Sequence, residues 1–279
     1  SKKLHYNYGI FKSYNKIAYW KKINFNSDSA IVWFKKGITE LPDTSADMYY
    51  LLTNIGNEYK IQSKYDSALY YINREIQLAT KSNNKKMIVY GYETLGNTYF
   101  NNFEHDNAFV SYAMADSICE SNITLNYSKI HAEIQNYLGY VVRATQGYEK
   151  ALKYYEKAKQ IYEEINNTDG VQQINTAIAQ AYISFNRNQE ALDLLNESIA
   201  FQEKIPIRNS YSYAVIVRGF LLLKMERYAE AEKDYLLYYN LAVKTNDKSF
   251  QRRGLGYLAS FYADIGNYDK AINNYKKTI

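Results

Sequence analysis

A small residue followed twelve positions later by alanine recurs seven times along this 279-residue chain: Ala18/Ala30, Gly56/Ala68, Gly96/Ala108, Gly139/Ala151, Ala179/Ala191, Gly219/Ala231 and Ala259/Ala271. The steps between successive first members are 38, 40, 43, 40, 40 and 40 residues, while the gap inside each pair never changes. Insertions therefore fall between units and not within them. Packed modules joined by tolerant loops vary in this way, so the chain reads as a stack of like units.

Within each unit further slots recur at helical offsets. Three residues after the small position stands an aromatic in four units (Tyr59, Tyr99, Tyr182, Tyr262), and four after the alanine stands Phe34, Tyr112, Tyr155, Tyr235 or Tyr275. Two amphipathic helices per unit satisfy both spacings. Short polar or glycine-bearing turns, such as QSKYDSA, TQGYEKA and IGNYDKA, separate the two helices, and longer loops such as KSNNKK, INNTDG and KTNDKS separate units. Two prolines and twelve glycines argue against a turn-rich β-sandwich. The small residues mark where the two helices cross, because a bulky side chain there would overpack the contact at a cost of about 1 to 3 kcal/mol.

The pattern L-G-x-x-Y followed by A-x-x-x-Y resembles the tetratricopeptide repeat, with its best copies at 95–115, 138–158 and 258–278. The resemblance runs from about Phe11 onward and implies an all-α fold, a right-handed α-solenoid of about seven helical hairpins wound as an α-α superhelix. The units fall at 11–48, 49–88, 89–131, 132–171, 172–211, 212–251 and an incomplete 252–279, as one solenoid over 1–279. Three departures stand out: Arg218 where a buried aliphatic is usual, Lys21 where the aromatic belongs, and a period near 40 rather than 34. HEAT and armadillo arrays have similar periods but lack this Gly/Ala…Ala register. The longer period is similar to that of extended arrays in bacterial signalling regulators.

Chemistry is sought and not found. His5, His105 and His131 fall in different repeats with no carboxylate or cysteine at ligand spacing, and neither a zinc-protease nor a phosphate-loop motif occurs. The expectation is a chain that is not an enzyme, with no catalytic residue, metal or cofactor. Acidic pairs such as Glu163-Glu164 read as solvated surface, and the lone Cys119 as an inert, partly buried thiol. It cannot close an intramolecular disulfide, so reducing and oxidising compartments both remain open. No run of eighteen apolar residues and no signal peptide are visible, which gives a soluble segment of bacterial cytoplasm or periplasm, with a tether through further sequence left open. Residues 1–40 hold eight lysines against two acidic residues, a surplus of +6, leaving −1 for the rest of a chain whose net charge is +5. A solvated lysine face is the simpler reading, an acidic partner the sharper one. Nucleic acid is a weaker third class, since it would need stronger and steeply salt-dependent basic binding.

In tetratricopeptide arrays the first helix of each unit lines the concave groove. Carried onto this sequence, the resemblance selects Tyr50, Asn54, Asn57, Tyr90, Asn97, Asn136, Tyr137, Tyr140, Arg143, Gln180, Tyr213, Phe220 and Tyr257 as ligand-binding, with Glu93, Glu133 and Arg253 on the same face. Such a mixture hydrogen-bonds an extended backbone while tyrosine rings supply contact area. Ile216, Val217, Phe220 and Leu223 form an apolar patch there, meant either for a ligand anchor or for cover by the chain itself. Of 32 tyrosines, twelve occupy packing slots (the four third-position aromatics, Tyr65, Tyr148, Tyr228 and Tyr268 in the turns, and Tyr112, Tyr155, Tyr235 and Tyr275) and read as core. Whether the remainder reflects function or an AT-rich composition is open. The carboxylate clamp of chaperone-binding arrays is absent, since the matching positions are Thr53, Asn57, Thr94, Glu133 and Tyr137.

The resemblance implies a protein or peptide partner. The leading reading is the sensory or interaction part of a larger bacterial signalling or regulatory protein; the alternative is a free-standing scaffold for complex assembly. The chain ends at Lys277-Thr278-Ile279, inside a second helix. Because a terminal repeat needs a polar cap, the expectation is a fragment or self-association through that uncapped unit.

Overall fold

A computed structural model describes residues 2–24, 26–41, 46–122, 125–202, 209–245 and 247–278. Ile279 and the side chains of Lys2, Lys3 and His5 lie outside what is described. Among the described residues there are fourteen helices and no strand. They are Lys2–Ile23 (α1), Ser27–Thr39 (α2), Ala46–Ile61 (α3), Tyr65–Lys81 (α4), Lys85–Asn101 (α5), His105–Glu120 (α6) and Leu125–Gln146 (α7). Tyr148–Glu164 (α8), Thr168–Ser184 (α9), Asn188–Gln202 (α10), Asn209–Lys224 (α11), Tyr228–Lys244 (α12), Lys248–Asp264 (α13) and Tyr268–Lys276 (α14) complete the order. Helices pair as hairpins about the recurring small-residue and alanine positions, the all-α repeat fold expected from their spacing. The first helix begins at Lys2 rather than near Phe11. Packing divides the chain into two compact units, residues 1–154 and 155–279.

One turn geometry closes most hairpins. Ser63, Phe103, Gly147, Asn186, Glu226 and Gly266 each adopt a positive φ just beyond a first helix. The amide that follows commonly reaches back five residues, as from Lys64 to the Tyr59 carbonyl at 2.9 Å and from Arg227 to the Leu222 carbonyl at 2.9 Å. This left-handed C-terminal cap satisfies orphan carbonyls and reverses the chain in very few residues. At the joints between hairpins Asn84, Asn167 and Asp247, and within the first hairpin Asn26, accept a hydrogen bond from an amide of the next first turn, each such cap contributing about 1 kcal/mol.

The recurring alanines are buried throughout. In the first unit Gly96 faces the Tyr112 ring so closely that an added Cβ would lie 2.5 Å from it, which is why that crossing takes glycine. Of the tyrosines read as core, Tyr112, Tyr155, Tyr235 and Tyr262 are buried. The turn positions are corrected: Tyr65 and Tyr148 are half-buried, and Tyr228 and Tyr268 are exposed, because the residue that opens a second helix projects past the crossing into solvent. Tyr275 is exposed as well. Arg218 is not a packing defect. Its guanidinium makes a two-pronged pair with Asp234 on the adjoining α12, at 2.7 and 2.8 Å, and donates to Asn196 at 2.9 Å. Lys12, Lys21, Lys35 and Lys36 of the first hairpin lie over aromatic rings, Lys36 4.2 Å from the Trp33 centroid, and Lys22 pairs with Glu58 of the next hairpin at 3.4 Å.

Candidate functional site

Within each unit the first helices of successive hairpins approach one another: α3 meets α5 and α5 meets α7, and α9 meets α11. Residues at matching offsets from the small position therefore share one face, and the thirteen groove positions fall on two such faces, nine in the first unit and four in the second.

The first face is polar, and its groups largely engage each other. Asn54 is buried, accepting from Lys22 at 3.1 Å and donating to the Tyr50 carbonyl at 2.7 Å. Tyr112 donates to Asn97 at 2.9 Å and stacks on Tyr137, with centroids 5.3 Å apart. The Arg143 guanidinium lies 5.5 Å from the Tyr140 ring and reaches the Tyr148 hydroxyl at 3.3 Å. Tyr50 is exposed; Asn57, Tyr90, Asn136 and Tyr137 are half-buried. The Asn136 Oδ1 is shut from solvent and has no hydrogen-bond partner among the described residues. Burial, with Glu133 nearby, pushes the Glu93 carboxyl up to about 7 despite the opposing Lys60. Glu133 is also raised, chiefly by burial, and Lys60 is lowered for the same reason. Tyr137 is pushed up to about 12 by burial beside the two carboxylates. This surface offers amides, hydroxyls and carboxyls whose ionisation burial disfavours.

The second face contains a cleft of about 480 Å³. Tyr213 and Ile216 on α11, Tyr238 on α12, and Phe250, Arg253 and Tyr257 on α13 wall it, with Ser212 and Asp247 at its edges. An edge-on aromatic set holds the walls: Tyr238 meets Phe250 at 4.7 Å and Tyr257 at 5.3 Å, and Tyr257 meets Phe220 at 5.8 Å. Such geometry fixes ring orientation. Gln180 donates to the Tyr213 hydroxyl at 2.7 Å. Asp247 is committed to capping α13, which leaves the exposed Arg253 as the cation at the rim. The cleft gathers Tyr213 and Tyr257 among the groove residues; Phe220 stands beside it and Gln180 supports it.

Of the two readings of the apolar patch, cover by the chain itself holds for most of it. Ile216 and Val217 are core, packed by the chain itself, and only Phe220 of that group is exposed. Sequence reasoning missed Tyr238 and Phe250, which lie outside the groove register; the available signal was the placement of tyrosine, seven residues after Ala231, in a slot that other repeats fill with Gly37, Ala115, Ala158 or Ser198. His131 is also corrected. It meets the Asp116 carboxylate at 2.8 Å, because packing of α6 against α7 joins residues fifteen apart in sequence. Cys119 is buried and its thiol is pushed up to about 12, so it is unreactive. Among the described residues no helix is long and apolar enough to cross a membrane.

A family profile described as "Tetratricopeptide repeat" matches residues 131–204. The fold agrees over nearly the whole chain. It is similar to the crystal structure of aspartyl phosphate phosphatase F from Bacillus subtilis, with TM-score 0.77 at 13% identity, covering 98% of this chain and 70% of that one. A second likeness is to a signal-transduction ATPase with numerous domains and a tetratricopeptide repeat sensor from Pyrococcus horikoshii, with TM-score 0.71 at 14% identity, covering 95% of this chain and 40% of that one. A third is to a Rap protein complexed with competence and sporulation factor, with TM-score 0.67 at 14% identity, covering 96% and 73%. No curated protein matches in sequence. Residues 131–204 thus match the tetratricopeptide-repeat family, and the fold of the chain resembles that of these solved structures.

Proposed function

We propose that this chain is a peptide-binding region, acting as the sensory or interaction part of a larger bacterial signalling protein, without catalysis of its own. The observation that carries the reading is the aromatic cleft between α11, α12 and α13, which is large enough for one bulky apolar side chain and has Arg253 at its rim. Aromatic anchors beside an arginine are the residue types that dominate binding energy at interfaces. The Asn136 Oδ1 on the first face fits the same reading, since an amide of an extended backbone would satisfy it. Support also comes from the fold shared with a Rap protein that was solved in complex with competence and sporulation factor. A free-standing assembly scaffold is the second reading, favoured by exposed Tyr268, Ile272 and Tyr275 on α14, where self-association would bury apolar surface.

A random peptide library displayed on phage and selected against the purified chain tests the proposal. Selected peptides should share an aromatic or aliphatic anchor, and Tyr213→Ala with Arg253→Ala should weaken them about tenfold or more, roughly 1.4 kcal/mol. Both side chains are exposed, so the variant should keep its circular dichroism. Peptides that bind the folded variant as tightly as the parent would remove the cleft as the site.

A further inference from the structure

Near the carboxyl end of α6, Asp116 and Glu120 stand one turn apart and meet His131 of α7, and one ligand atom from each lies within 4.8 Å of the others. The side chains of Asp116 and His131 are 19% and 13% exposed, and Glu120 is open to solvent, so the group is framed on the inside and accessible from outside. A second observation concerns the side chain next to this group. Gln135, one turn beyond His131, is 1% exposed. Its amide is directed into the group, with Nε2 2.5 Å from Asp116 Oδ1 and 3.4 Å from His131 Nε2. Its Oε1 is buried and has no hydrogen-bond partner among the described residues. A half-turn of the amide would exchange the two atoms and direct that carbonyl oxygen inward.

We propose that Asp116, Glu120 and His131, joined by the Gln135 carbonyl, bind a divalent transition-metal ion that fastens α6 to α7. Three oxygen donors with one imidazole suit zinc, cobalt or manganese; there is no thiolate for a soft monovalent ion and there are too few oxygens for calcium. Donors at roughly 2.0–2.2 Å from an ion stand about 3–4 Å apart, so the side chains need only small adjustments to close on it.

The test uses the full chain, stripped with a chelator and titrated with cobalt and with zinc by calorimetry, with visible absorption of bound cobalt and thermal unfolding as second readouts. The expected result is a single equivalent bound and a melting temperature that rises with transition-metal concentration but not with calcium. Glu120→Gln should weaken binding about tenfold or more, and because Glu120 is exposed this variant keeps its fold where His131→Ala could lose it. Absence of binding, or binding that Glu120→Gln leaves unchanged, overturns the proposal.

Discussion

Seven residues beyond the recurring alanine, the first unit places Gly37, Glu75 and Ala115, and the second places Ala158, Ser198 and Tyr238. Two of these break a slot otherwise kept small, with opposite results. Glu75 is fully buried, and neither of its oxygens has a hydrogen-bond partner among the described residues; the nearby Thr53 hydroxyl donates to the Tyr49 carbonyl instead. Burial pushes its carboxyl up to about 7. Tyr238 spreads its ring among Phe250 and Tyr257 and becomes a wall of the cleft. The second unit also sets a charge, the half-buried Arg218, in a slot that holds Ile55, Leu95 and Leu138 in the first, yet there the buried Asp234 answers it with two hydrogen bonds. A repeat tolerates a buried charge when the adjoining helix supplies its partner, and a large ring when the neighbouring first helix leaves room.

The largest effect should follow from breaking the paired charge. Arg218→Ala leaves Asp234, only 3% exposed, as an uncompensated buried carboxylate, and should cost about 3 kcal/mol in urea unfolding monitored by circular dichroism. The double change Arg218→Met with Asp234→Leu should recover most of it; if it did not, the pair would be worth more than its replacement by packing. The unpaired charge should behave in reverse. Because Glu75 has a folded-state pKa above its unfolded value, the folded state holds the proton more tightly. Its contribution is therefore most favourable below about pH 4.5 and is lost as pH rises to about 7. That displacement corresponds to about 3 kcal/mol. Glu75→Gln should thus raise the melting temperature at pH 8 and change it little at pH 4.5; an equal gain at both would show that ionisation is not the cause.

The fold was legible because its determinants are local and periodic. The twelve-residue gap, the aromatic four residues after the alanine and the turn residues all act within one hairpin, where offset in sequence is offset in space. The site was legible only as far as the first helices carry it. Tyr213 and Tyr257 follow the register and line the cleft, whereas Tyr238 comes from a second helix and Phe250 from the opening turn of α13, so no single periodicity marks them together. Arg218 reads as a departure until Asp234, sixteen residues away, is seen against it. His131 reads as isolated for the same reason. Pairings between helices depend on which residues two faces bring together, and a pattern along one helix does not encode that.

The crossings themselves supply the smallest and most direct contrast between the units. Gly96 and Gly219 occupy the same slot, each with an aromatic from the second helix beneath it. A Cβ at Gly96 would sit 2.5 to 2.8 Å from Tyr112 ring atoms, and that ring is held by its stack on Tyr137 and its hydrogen bond to Asn97, so it cannot step aside cheaply. At Gly219 the nearest atoms, Asp234 Cβ and Tyr235 Cζ, lie at 3.4 Å, an ordinary contact. Gly96→Ala should therefore destabilise the chain by about 1–3 kcal/mol through overpacking. Gly219→Ala should be neutral or stabilising by up to about 1 kcal/mol, because alanine gives up less backbone freedom within a helix. Urea midpoints of the two variants measure the difference directly, and equal midpoints would mean that the Tyr112 ring yields and that the close approach does not govern which residue the crossing accepts.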